Sequence, residues 1–86
     1  MSKLETVDGE LHVDGKKVIK GWESFTGWYW FATEIEQGNY DGKPIWFGYV
    51  QGTYDEWGTF TQAELDEIEM IWEIRPDDLP HAGRRN

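Results

Sequence analysis

Three aromatic runs in the middle of the chain restrict it to a sheet. They are Trp28-Tyr29-Trp30-Phe31-Ala32-Thr33-Glu34-Ile35, Pro44-Ile45-Trp46-Phe47-Gly48-Tyr49-Val50-Gln51 and Glu56-Trp57-Gly58-Thr59-Phe60-Thr61. Aromatic and β-branched side chains fit a pleated surface and lose rotamer freedom in a helix. Alternation puts Trp28, Trp30 and Ala32 on one face of the first run, and Tyr29, Phe31, Thr33 and Ile35 on the other. The second run divides the same way, Ile45, Phe47 and Tyr49 against Trp46, Gly48 and Val50. Both faces are therefore apolar at the centre, whereas a sheet with one wet face carries polar residues at every second position. One face must be core. The other is either covered by a helix or is an exposed aromatic surface.

The polar break 36–43 contains Gly38, Asn39 and Asp41-Gly42, which supply positive-φ turn positions, and reads as a hairpin loop. Pro44 is tolerated as a first strand residue, and Gly48 inside a strand marks a bulge or a close approach by a neighbour. Gly52-Thr53-Tyr54-Asp55 reads as a second hairpin connection. Upstream, Asp14-Gly15 separates two alternating runs, 10–13 and 16–19, the pattern of a two-residue type I′ hairpin. Residues 1–8 read as a loose start.

After the third run, Thr61-Gln62-Ala63-Glu64 forms a capping box, in which the Thr61 hydroxyl and the Glu64 carboxylate each accept from the other residue's backbone N–H. The spacing of Leu65, Ile68, Ile71 and Trp72 predicts a helix over 62–72 with one apolar stripe. Glu64, Asp66, Glu67, Glu69 and Glu73 cover the rest without a Lys or Arg, so this helix gains no i,i+4 ion pairs and depends on packing. Residues 73–75 read as a short final strand. Pro76 and Pro80 then end regular structure, leaving an irregular tail over 76–86 that is mobile at its end. The expectation is a single domain over residues 1–86 of the α+β class. It has an antiparallel sheet of four or five strands with one C-terminal helix packed on one face. The expected core is Phe31, Ile35, Phe47, Tyr49, Phe60, Leu65, Ile68 and Trp72.

At 86 residues the chain buries only roughly 60–65% of its unfolded surface. It has no cysteine to staple it, so its six Trp, four Tyr and four Phe are first of all a means of building enough core. No apolar run approaches the roughly 18 residues of a membrane span. The start lacks the apolar segment of a secretory signal, so a soluble cytoplasmic protein is expected. With 17 acidic and 8 basic residues the net charge is −9, which opposes direct binding to nucleic-acid phosphates. It favours solubility, and equally suits encounter with a basic protein surface.

Trp30-Phe31-Ala32-Thr33-Glu34, Trp46-Phe47-Gly48-Tyr49-Val50-Gln51-Gly52 and Glu56-Trp57-Gly58-Thr59-Phe60-Thr61, followed by Glu64-Leu65, resemble three linked elements of one family. These are small bacterial, plasmid and phage proteins grouped as domain-of-unknown-function family 2958. The resemblance covers residues 28–70, and Phe31 and Thr59 stand where the family pattern has tyrosines. It implies a mobile-element setting and no particular activity.

No phosphate-binding Gly-rich loop, nucleophile elbow or His-rich metal motif is present, and no cofactor or catalytic residue is expected. Glu34 and Glu56, which flank the aromatic runs, are the best placed carboxylate pair for glycoside hydrolysis, a reaction that needs two carboxylates in one cleft. Two binding readings remain. In the first, a non-enzymatic acidic protein docks on a basic surface of a host protein, as a nucleic-acid mimic, with Glu64, Asp66, Glu67 and Glu69 carrying the encounter. In the second, Trp28, Trp30 and Trp46 form an aromatic platform that stacks sugars or other flat ligands.

Overall fold

The computed structural model describes residues 2–83. Its strands are β1 (Leu4–Val7), β2 (Glu10–Val13), β3 (Lys16–Lys17), β4 (Lys20–Ser24), β5 (Tyr29–Tyr40), β6 (Lys43–Gln51), β7 (Asp55–Thr61) and β8 (Ile71–Glu73). Helix is confined to α1 (Gln62–Asp66) and a 3-10 turn at Leu79–His81. The strands make two antiparallel sheets, one of order β1-β2-β3 and one of order β7-β6-β5-β4-β8.

Asp-Gly pairs set three of the hairpins. Asp8 and Gly9, Asp14 and Gly15, and Asp41 and Gly42 all have positive φ, between 51° and 80°, as type I′ turns require. The turn at Asp14-Gly15 is the one expected. The turn at Asp8-Gly9 corrects the reading of residues 1–8 as loose, because β1 pairs with β2 from Leu4↔Val13 to Val7↔Glu10. The turn at Asp41-Gly42 corrects the loop over 36–43, since β5 and β6 run on to the pair Tyr40↔Lys43.

One irregularity in β5 changes which residues are core. Ala32 pairs with Gly48, but Glu34 pairs with Phe47, so Thr33 is an extra residue. Beyond such a bulge the side-chain alternation is inverted. Ile35 lies opposite Trp46 instead of continuing the Phe31 face, and is 60% exposed. Its place in the expected core is corrected accordingly. Gly48 sits beside this bulge, against the backbone of Phe31 and Ala32.

Both faces of the large sheet are covered at their centres. On the first, Phe31 and Tyr49 pack with Leu11 and Val13 of the small sheet, with Val18 just after it, and with Ile74 and Ala82. On the second, Trp22, Trp30, Ala32, Trp46 and Phe60 pack with Leu65 of α1. Phe31, Tyr49, Phe60 and Leu65 are buried as expected, while Phe47 is half-buried.

The C-terminal region departs most from expectation. The capping box forms, with Glu64 N–H donating to Thr61 Oγ1 at 3.1 Å and Thr61 N–H to Glu64 Oε1 at 2.8 Å. The helix nevertheless stops at Asp66, with no basic residue in its last turn to complement the helix dipole. Residues 71–73 pair with β4 instead, through Trp22↔Glu73, Glu23↔Trp72 and Ser24↔Ile71. The strand expected over 73–75 thus lies at Ile71–Glu73, and the apolar stripe is broken up. Leu65 is buried, Ile71 half-buried, and Ile68 and Trp72 are exposed, Trp72 by 48%. The segment after Pro76 is irregular as expected, but Ala82 and Gly83 are buried against the first core instead of mobile. Residues 84–86 of the expected tail lie outside the described residues.

Asp14 ties the two sheets together. Its carboxylate accepts from Lys3 N–H at 2.8 Å and from the Trp57 indole N–H at 3.3 Å. The Lys3 amide, then the Ser2 and Trp57 donors, hold its pKa below the usual aspartate value. A lowered folded-state pKa contributes stability that is present above the unfolded value of about 3.9 and lost as pH falls through the folded value. In urea melts, the advantage of wild type over Asp14→Asn is expected to shrink as pH falls below about 4. A gap constant down to pH 2 would show that the latch owes nothing to the charge.

Candidate functional site

An apolar hollow lies beside the paired strands β4 and β8. The Phe25 N–H donates to the Met70 carbonyl at 2.8 Å, which brings two residues remote in sequence to one rim. Phe25, Trp28, Trp30, Ile68 and Met70 line the hollow with Ser24, Thr26 and Glu69, enclosing about 380 Å³. That is within the roughly 300–1,000 Å³ of small-ligand sites. Phe25 is 68% exposed and Trp28 38% exposed, and Trp28 and Trp30 have ring centroids 5.8 Å apart. The hydroxyls of the lining are already engaged. Ser24 Oγ and Thr26 Oγ1 share a hydrogen bond at 2.9 Å, and Ser24 Oγ accepts from Trp28 N–H at 3.1 Å.

A second hollow of about 360 Å³ adjoins the first and shares Trp30 and Ile68 with it. Its walls include Val50, Phe60 and Leu65, and its acidic groups are Glu56 and Glu64. The two hollows thus meet at Trp30 and Ile68, and the lining of each includes at least one acidic residue.

The four acids expected to act together divide in two. Asp66 accepts from Lys43 Nζ at 2.7 Å and from Gln62 Nε2 at 2.9 Å. Lys43 is the main cause that holds its pKa low, and the Lys43 ammonium pKa is raised in turn. This charge is already paired, so Asp66 offers a partner less than the sequence promised. Glu64 caps α1 and lines the second hollow, Glu69 lines the first, and Glu67 is exposed at the end of α1. Among the described residues, no ion pair engages Glu64, Glu67 or Glu69.

The three tryptophans proposed as a platform do not share one exposed surface. Trp46 is 6% exposed, packs at 5.4 Å from Trp22, and donates its indole N–H to Gln62 Oε1 at 3.1 Å. Trp30 is buried except where it floors the hollows, and Trp28 alone of the three stands at the surface. Glu34 and Glu56 fall on opposite faces of the large sheet. Glu34 pairs with Phe47, on the Tyr49 side, and Glu56 pairs with Val50, on the Trp30 side. They cannot flank one glycosidic bond.

Phe25 and Met70 were not legible as site residues. The available signal is the Asp-Glu-Ile-Glu-Met run, in which Met70 adopts φ 59°. A bulky side chain in the left-handed region costs roughly 1–2 kcal/mol, and such strain collects at ligand-binding positions. Met70→Gly is expected to leave stability unchanged or raise it by up to about 1 kcal/mol in urea melts, despite the loss of a large apolar side chain. Ile68→Ala is expected to cost less than about 1 kcal/mol, against about 2–5 for Leu65→Ala. A larger loss for Ile68 than for Leu65 would mean that the hollow is not open.

Among the described residues, no group of three or more His, Asp or Glu side chains is placed to hold a metal ion, and no helix is long and apolar enough to cross a membrane. Comparisons of the chain with protein-family models, with curated proteins and with solved structures find no match.

Proposed function

We propose that this is a non-enzymatic acidic binding protein that docks on a basic surface of another protein. The observation that carries the reading is the double hollow, two adjoining apolar hollows with Glu69 in the lining of one and Glu56 and Glu64 in the lining of the other. An apolar centre with a charged rim is the anatomy of a protein-binding patch, in which buried aromatic anchors supply affinity and rim charges supply encounter rate. The net charge of −9 favours a basic partner and disfavours a second copy of this chain. The motif resemblance over residues 28–70 supports a host protein as that partner, with the acidic face acting as a nucleic-acid mimic in a cytoplasmic, phage or plasmid setting.

The test is capture from bacterial lysate at low and high salt. Partners are expected to be held at low salt and lost as salt rises. They are also expected to be lost when Glu64, Glu67 and Glu69 become Gln, a change that preserves the capping box. Asp66→Asn is expected to matter less, because Lys43 already neutralises that charge. An unchanged partner set after the triple substitution would sink the reading.

A second reading, a flat uncharged ligand such as a sugar ring, is favoured by Phe25 and Trp28, two exposed rings at one hollow. Binding of that kind is indifferent to salt and survives the triple Gln substitution.

A further inference from the structure

We infer that the partner's anchor is a segment with two arginines flanking one apolar side chain. This rests on the docking reading above and specifies its chemistry. The first hollow contains five apolar side chains, two hydroxyls already hydrogen-bonded, and one charged group, Glu69. Its occupant must therefore be largely apolar in body and carry one cationic group for Glu69. The second hollow, which shares Trp30 and Ile68 with the first, combines apolar side chains with Glu56 and Glu64. One segment that fills both hollows brings a cation to the acidic lining of each and an apolar side chain to the shared Trp30 and Ile68.

Arginine fits this site better than lysine. Its guanidinium is planar, more weakly hydrated than an ammonium, stacks on aromatic faces and pairs with a carboxylate through two parallel N–H donors. Trp28 and Phe25 present exposed rings in the same hollow that Glu69 lines, so one site offers both stacking and a carboxylate. A lysine ammonium would surrender a tighter hydration shell to reach the same carboxylate. The lining of neither hollow includes a Lys or Arg to compete for these acids.

The test titrates the full chain with three short synthetic peptides of one length. They carry two arginines, two lysines or two citrullines about a central leucine, and citrulline keeps the shape of arginine without its charge. Binding is read by tryptophan fluorescence and by NMR shifts of the Trp28 indole and the Ile68 and Met70 methyls. The arginine peptide is expected to bind with shifts at those three residues, the lysine peptide several-fold more weakly, and the citrulline peptide not measurably. Glu69→Gln, an exposed change that leaves the fold intact, is expected to weaken the arginine peptide roughly tenfold. Equal, salt-dependent binding of the arginine and lysine peptides with no shift at Trp28, Ile68 or Met70 would overturn the arginine inference and leave the acidic docking reading standing. Failure of both basic peptides to bind at low salt would overturn the arginine inference, while the docking reading stands or falls with the lysate capture.

Discussion

Gly48→Ala is expected to destabilise the protein by on the order of 3 kcal/mol or more, a large part of the ~4–13 kcal/mol that holds a domain of this size together. A Cβ at Gly48 would collide with the Phe31 carbonyl oxygen and lie 2.8 Å from the Ala32 Cα. Both obstacles are backbone, so no side-chain rotation relieves the clash, and β5 and β6 must separate beside the bulge at Thr33. The cross-strand partner supplies the control. Gly58 pairs directly with Gly48, yet a Cβ there meets nothing within 4 Å. Gly58→Ala is expected to be neutral or to stabilise by up to about 1 kcal/mol, because alanine loses less backbone entropy on folding. Urea midpoints of the two variants, measured side by side, should differ widely. Equal midpoints would mean that β5 and β6 do not approach as described.

Phe31→Ala is expected to cost about 3–5 kcal/mol. Phe31 is fully buried, stacks on Tyr29 at 5.6 Å between centroids, and belongs to the core where the small sheet, Ile74 and Ala82 meet the large sheet. Its ring also lies against Gly21 and Gly83: a Cβ would collide with it at Gly83 and crowd it at Gly21, 3.3 Å away. The loss therefore loosens β4 and the C-terminal segment together, and should appear in hydrogen exchange as raised rates in both. A loss below about 1 kcal/mol would show that the small sheet does not depend on this ring.

The strands around Trp30, Trp46 and Trp57 were legible because aromatic density and alternation over-determine them. Asp14-Gly15 and the Thr61–Glu64 box were legible because each is a local arrangement with one backbone solution. Asp8-Gly9 carried the same signal as Asp14-Gly15, but the polar Glu5 and Thr6 of β1 obscured the strand before it. The inversion at Thr33 was not legible, since a bulge depends on how the neighbouring backbone crowds Gly48. Nor was the end of α1. The Leu65, Ile68, Ile71 and Trp72 spacing suits a helix, but Ile71 and Trp72 are also good strand residues. Pairing with β4, which lies some fifty residues earlier, won over a helix whose acids repel one another. That same non-local pairing assembled the hollow, so Phe25 and Met70 came together for a reason no local pattern contains.

Hydroxyl-radical footprinting of the protein, free and bound to its captured partner, tests the docking claim most directly. Phe25, Trp28 and Met70 are exposed at the hollow, whereas Tyr40 and Tyr54, 60% and 82% exposed, lie outside its lining. Protection of Phe25, Trp28 and Met70 on binding, with Tyr40 and Tyr54 still reactive, is the predicted result. Protection of Tyr40 or Tyr54 while Phe25, Trp28 and Met70 stay reactive would contradict it.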